Sequence, residues 1–151
     1  MTPYENLVSE LTLLPSRTQR LNRARESIQV MLVLHLKESG WFKQAAFVGG
    51  TALRLAHGLE RFSENLDFLA LQPKNLDEIK CGEMLARTVT GLGKDGFSVH
   101  FKKLKTTTAV WKTFLVVQDL LHKLDPAFQL SETLQIKLEI DTNPPSIETE
   151  L

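Results

Sequence analysis

Two glycines and a hydroxyl residue, Gly49-Gly50-Thr51, follow a short apolar run, Ala45-Ala46-Phe47-Val48. Glycine lets a backbone come close to a ligand. A helix opening at such a turn aims its unpaired N–H groups at an anion, a phosphate above all. Taken alone, the pair serves equally as a tight turn. It is not a P-loop, because no Gly-Lys-Ser/Thr follows at the required spacing. It is not a dinucleotide fingerprint either, because the later glycine is missing.

Carboxylates recur further along. Asn65 and Asp67 bracket Leu66, and Lys137, Glu139 and Asp141 alternate with Leu138 and Ile140. Residues two apart on a strand share a face. Asn65 and Asp67 therefore point together, and so do Lys137, Glu139 and Asp141. Three or four oxygen ligands on neighbouring strands form a hard-cation site suited to Mg²⁺. Beside a phosphate-binding turn, such a site suits nucleotidyl or phosphoryl transfer. The competing reading is that these acids are the solvated faces of two strands.

The elements that must position these residues read as follows. The first fifteen residues predict a short helix or an extended arm. From about Ser16 to Glu38, Leu21, Ala24, Ile28, Met31, Leu32 and His35 recur at helical spacing, with Ser16 as N-cap and Gly40 as stop. His35 on that face reads as a satisfied core histidine. Residues 45–48 read as a buried strand, Thr51–His57 as a two-turn helix, Arg61-Phe62-Ser63-Glu64 as a loop and Asn65–Leu71 as a second strand. Asn75 followed by Glu78 resembles a capping box, opening a helix to about Leu92 with Gly91, Gly93 and Gly96 as terminators. Phe97, Val99 and Phe101 alternate with polar residues; Trp111–Val117 reads as a central strand; Asp119–Lys123 adds a helical turn; Leu134–Thr142 alternates again.

Composition sets the outer limits. The chain has 151 residues, with 18 Lys+Arg balanced by 18 Asp+Glu. One domain over residues 1–151 is expected. Neutrality excludes a histone-like global field, although Arg17, Arg20, Arg23 and Arg25, and Lys102, Lys103 and Lys105, form local basic clusters. The single cysteine, Cys81, excludes an internal disulfide and a multi-thiolate zinc site, and suits a reducing cytoplasm. The four histidines lack metal-ligand spacing. No secretory signal is expected from Met1-Thr2-Pro3-Tyr4-Glu5-Asn6. The apolar run Val30–Leu34 is far shorter than the ~20 residues that span a bilayer, so no membrane partner is expected.

The order Gly-Gly-Thr-Ala-Leu, then Arg-Phe-Ser-Glu-x-Leu-Asp-Phe, then Lys-Leu-Glu-Ile resembles the nucleotidyl transferase AbiEii/AbiGii toxin family. That family lies within the DNA polymerase β-like nucleotidyltransferase superfamily. The match is specific across Phe47–Leu71 and looser across Ile136–Pro145. The resemblance implies an α+β fold, a mixed twisted sheet of about five strands with packed helices, as in a nucleotidyltransferase-like core. It implies an Mg²⁺-dependent enzyme that takes an NTP and transfers NMP to an acceptor hydroxyl. By analogy the acceptor is tRNA and the setting a toxin–antitoxin or phage-defence pair in the cytoplasm, with a cognate antitoxin. It implies phosphate contacts from Gly49, Gly50 and Thr51, triphosphate or carboxylate bracing from Arg61 and Ser63, and charge balance from Lys137. Metal ligands would be Asp67 and Glu139, with Asp141 in reserve. Family members continue into a helical C-terminal half that this chain is expected to lack.

One position departs from the pattern. Where the family has Asp-x-Asp, this chain has Asn65-Leu66-Asp67. An amide oxygen still reaches Mg²⁺ but carries no charge, so a hard cation loses a Coulomb partner. Either the natural protein is impaired, acting as a nucleotide- or partner-binding module, or Asn65 is an introduced inactivating change.

Overall fold

The computed structural model describes residues 1–50 and 64–143. The expected helix at Thr51–His57 and loop at 61–63 lie outside these residues, as does the tail from 144.

Helix α1 spans Pro3–Thr12, so the N-terminal segment is a helix rather than an arm. Thr2 Oγ1 accepts the Glu5 N–H at 3.1 Å, and Pro3 occupies the first turn, where its missing N–H costs nothing. Helix α2 runs Arg17–Ser39. Ser16 Oγ accepts the Gln19 N–H at 3.1 Å, and Gly40 closes the helix in the left-handed region at φ 95°. Strand β1 (Ala45–Val48) and strand β2 (Asn65–Ala70) follow.

Helix α3 covers Glu78–Lys94 and differs from expectation at both ends. Its N-cap is Asp77, whose Oδ1 accepts the Ile79 N–H at 2.9 Å, whereas Asn75 ends a 3₁₀ turn at Pro73–Asn75. Gly91 and Gly93 lie inside the helix and do not stop it. Gly91 is there for packing, because a Cβ would collide with the His35 ring. Strands β3 (Ser98–Phe101) and β4 (Val110–Gln118), the short helix α4 (Leu121–Leu124) and strand β5 (Leu134–Asp141) complete the described chain.

The five strands form one mixed sheet in the order β1-β2-β5-β4-β3. Strands β2 and β5 run parallel; the other neighbouring pairs are antiparallel. One face is apolar. Leu66, Phe68, Leu115, Ile136, Leu138 and Ile140 pack there, with Trp41 and the α2 residues Ala24, Ile28, Leu32 and Leu36 in the same core. Each such large side chain contributes roughly 1.5–3 kcal/mol on full burial. A one-residue slip of β2 or β5 would turn this set into water, so the register is firmly held. The opposite face is therefore left to Asn65, Asp67, Lys137, Glu139 and Asp141, all half-buried.

Candidate active site

Parallel pairing of β2 with β5 brings the two acidic strands side by side. Asp67 stands opposite Glu139, Asn65 opposite Lys137, and Leu69 opposite Asp141. Adjacent strands lie about 4.8 Å apart, so the facing carboxylates of Asp67 and Glu139 interact strongly. Burial and then the negative charge of Glu139 push the Asp67 carboxyl above its ordinary range, with Lys137 opposing. Lys137 Nζ meets Glu139 Oε1 at 2.6 Å, across two positions of the same strand.

The Gly-Gly turn comes to this pair from β1. Val48 pairs with Asp67, and Gly49 follows with φ 84°. A Cβ on Gly49 would fall 2.7 Å from Asp67 Oδ2. Only glycine meets both conditions, the left-handed backbone and the close approach to a carboxylate. Gly49 and Gly50 are both exposed. Thr51, Arg61 and Ser63 lie outside the described residues.

Asp141 stands opposite Leu69 rather than Asp67. It sits two residues beyond Glu139, and its Oδ1 accepts the Asn143 N–H at 2.9 Å. Among the described residues, no group of three His, Cys, Asp or Glu side chains is arranged to hold a metal ion. The donor set at the centre is thus two carboxylates with the Asn65 amide on the same face. Hard oxygen donors of this kind fit Mg²⁺, which commonly takes one or two carboxylates and completes its shell with substrate phosphates and water.

Other sequence candidates have structural partners. Arg20 donates to the carbonyls of Leu14, Thr12 and, at 2.7 Å, Leu124. Arg25 donates to Gln135 O at 2.6 Å. Arg17 lies 3.8 Å from Asp125 and stacks on Phe128. These arginines staple α2 to its neighbours. His35 Nε2 pairs with Asp95 Oδ2 at 2.6 Å in a cavity of about 430 Å³ between α2 and α3, which none of the sheet acids lines. Lys112, with Thr113 a polar exception in the apolar stretch Trp111–Val117, was not among the sequence candidates. It stands opposite Glu139 on β4, and its signal was the lone cation in that stretch.

Comparison with known proteins places the chain in a family and a fold. The family model for the nucleotidyl transferase AbiEii toxin of type IV toxin–antitoxin systems matches residues 31–151. No curated protein matches. A crystal structure of a candidate nucleotidyltransferase from Helicobacter pylori is similar at TM-score 0.53 and 23% identity, over 90% of this chain and 50% of that one. The Helicobacter pylori protein JHP933 is similar at TM-score 0.55 and 23% identity, over 89% and 49%. The likeness is one of fold, and the chain spans about half the length of these two structures.

Proposed function

We propose NTP- and Mg²⁺-dependent nucleotidyl transfer for this chain, which belongs to the nucleotidyl transferase AbiEii toxin family. The carrying observation is the Asp67–Glu139 pair across β2 and β5, with Gly49 packed against it. Asp67 and Glu139 hold the cation, Asn65 adds a neutral oxygen, and Asp141 stands in reserve. Mg²⁺, when bound, neutralises charge on the phosphates and orients them. The N–H groups of Gly49 and Gly50, with the Thr51 hydroxyl, hold the phosphates. Arg61 and Ser63 brace the triphosphate, and Lys137 balances charge beside Glu139. An acceptor hydroxyl attacks the α-phosphorus in line and gives up its proton to water, the new P–O bond forms, and pyrophosphate leaves with the electrons of the broken P–O bond. The acceptor is tRNA, the setting is a cytoplasmic toxin–antitoxin pair, and a cognate antitoxin is the protein partner. No described helix is long and apolar enough to cross a membrane.

A second reading is favoured by one position. Asn65 leaves β2 with a single carboxylate at the site, which suits an impaired module that binds nucleotide without turning it over. Incubation with each α-labelled NTP, Mg²⁺ and total tRNA separates the two. Label on RNA supports transfer. Mg²⁺-dependent NTP binding without label supports the impaired module, and the absence of both label and NTP binding contradicts both readings.

A further inference from the structure

Across the open face of the sheet, charge changes sign in one row. Asp67 on β2 stands opposite Glu139 on β5, Glu139 opposite Lys112 on β4, and Lys112 opposite Lys105. Lys105 and Lys112 exchange both backbone hydrogen bonds, at 2.9 and 3.1 Å, so they are directly paired residues whose side chains share a face. Like charges directly opposite each other on a sheet are destabilising. Among the described residues neither lysine has an ion-pair partner. One row over, Phe114 stands opposite Lys137, and Lys102 Nζ lies 5.3 Å from the Phe114 ring centroid. Lys102 and Lys105 are exposed. The face thus carries three lysines and an aromatic ring running from the acid pair toward the β3 edge, over about 10 Å at one strand spacing per step.

The position of this stripe decides what it would hold. Gly49 reaches Asp67 from β1, on the opposite side of the acid pair from Lys112. In-line transfer keeps the leaving group and the nucleophile on opposite sides of the reacting phosphorus. With the triphosphate on the glycine side, the lysine side belongs to the acceptor. We propose that Lys102, Lys105 and Lys112 form the acceptor track, holding the phosphates of a single-stranded RNA end, with Phe114 as the ring on which a base stacks. This rests on the nucleotidyl-transfer reading for its direction but not for its ligand.

The primary readout is RNA binding alone, without NTP or Mg²⁺, with NTP affinity and label transfer measured separately on the same proteins. A fluorescent single-stranded RNA of about twelve nucleotides is titrated by anisotropy at several salt concentrations. The double variant Lys105→Glu/Lys112→Glu should bind about tenfold or more weakly, and its salt slope should fall by roughly 1.4, two phosphate contacts at ~0.7 each. Lys105→Arg/Lys112→Arg should retain binding. Lys43→Glu/Lys80→Glu, the same charge change beside the α2–α3 cleft, should have little effect. Asp67→Asn should still bind the RNA, so a failed transfer reaction leaves this result intact. Equal RNA binding by the two charge-reversed doubles overturns the track. So does a loss of NTP affinity in Lys105→Glu/Lys112→Glu with RNA binding unchanged, which would give the lysines to the triphosphate. Label transfer to protein with no RNA binding overturns it as well.

Discussion

In the proposed reaction, Asp67 is the residue on which most of the chemistry converges. Its raised pKa means the folded state holds that proton more tightly than the unfolded chain does. The resulting stabilisation is complete below the ordinary value of 3.8 and is lost as pH rises through the raised one. Without Mg²⁺, Asp67→Asn should therefore gain stability relative to the parent as pH climbs from about 3.5 to neutrality. Urea midpoints at the two pH values measure this; a difference that stays constant would refute the assigned repulsion. Its nucleotidyl transfer should meanwhile fall by about two orders of magnitude or more, roughly 2.7 kcal/mol in the barrier. Asn65→Asp works in the opposite sense. It adds a charge on the same face as Asp67, and Mg²⁺ should bind about tenfold tighter, ~1.4 kcal/mol. Calorimetric titration with Mg²⁺ decides it, and unchanged affinity would remove Asn65 from the site. The Asp67 and Glu139 placements were legible because period two leaves little choice once Leu66, Phe68, Leu138 and Ile140 must be buried. The choice of Glu139 rather than Asp141 as the partner of Asp67 was not, because it depends on the parallel register of β2 with β5.

At the scale of elements, the site depends on a turn and a strand. Gly49→Ala must place a Cβ at φ 84° and 2.7 Å from Asp67 Oδ2. The left-handed conformation alone costs about 1–2 kcal/mol. A chain of this size should lose roughly 2–8 °C in Tm, and calorimetry reads it directly. Nucleotide binding should weaken with it, since the carboxylate must move. Leu138→Ala removes a fully buried side chain from the centre of β5 and should cost about 2–5 kcal/mol by urea unfolding. Local signals served the helices well at Ser16 and Gly40, where cap and stop chemistry is confined to a few residues. They failed at Gly91, where the reason for glycine is His35 on another helix. They failed at Asn75 because Asp77 offers the same cap chemistry two residues later, and the preceding Pro73 draws Asn75 into a 3₁₀ turn.

The molecule as a whole is a sheet with one face spent on the core and the other free for chemistry. Its helices and strands followed from helical and alternating periods along the chain, and its mixed α+β sheet from the family resemblance. The strand order did not. Strand β5 enters between β2 and β4, a pairing of distant segments for which no local periodicity carries information. That insertion builds the proposed site: it sets Glu139 beside Asp67 and Lys112 beside Glu139. The most direct measurement is Mg²⁺-dependent NTP binding by the chain, compared with Asp67→Asn and Glu139→Gln. Calorimetric titration should show nucleotide binding that requires Mg²⁺ and weakens about tenfold or more in each variant, ~1.4 kcal/mol or greater. Binding that ignores Mg²⁺, or that is equal in all three proteins, would contradict a metal–nucleotide centre at the Asp67–Glu139 pair.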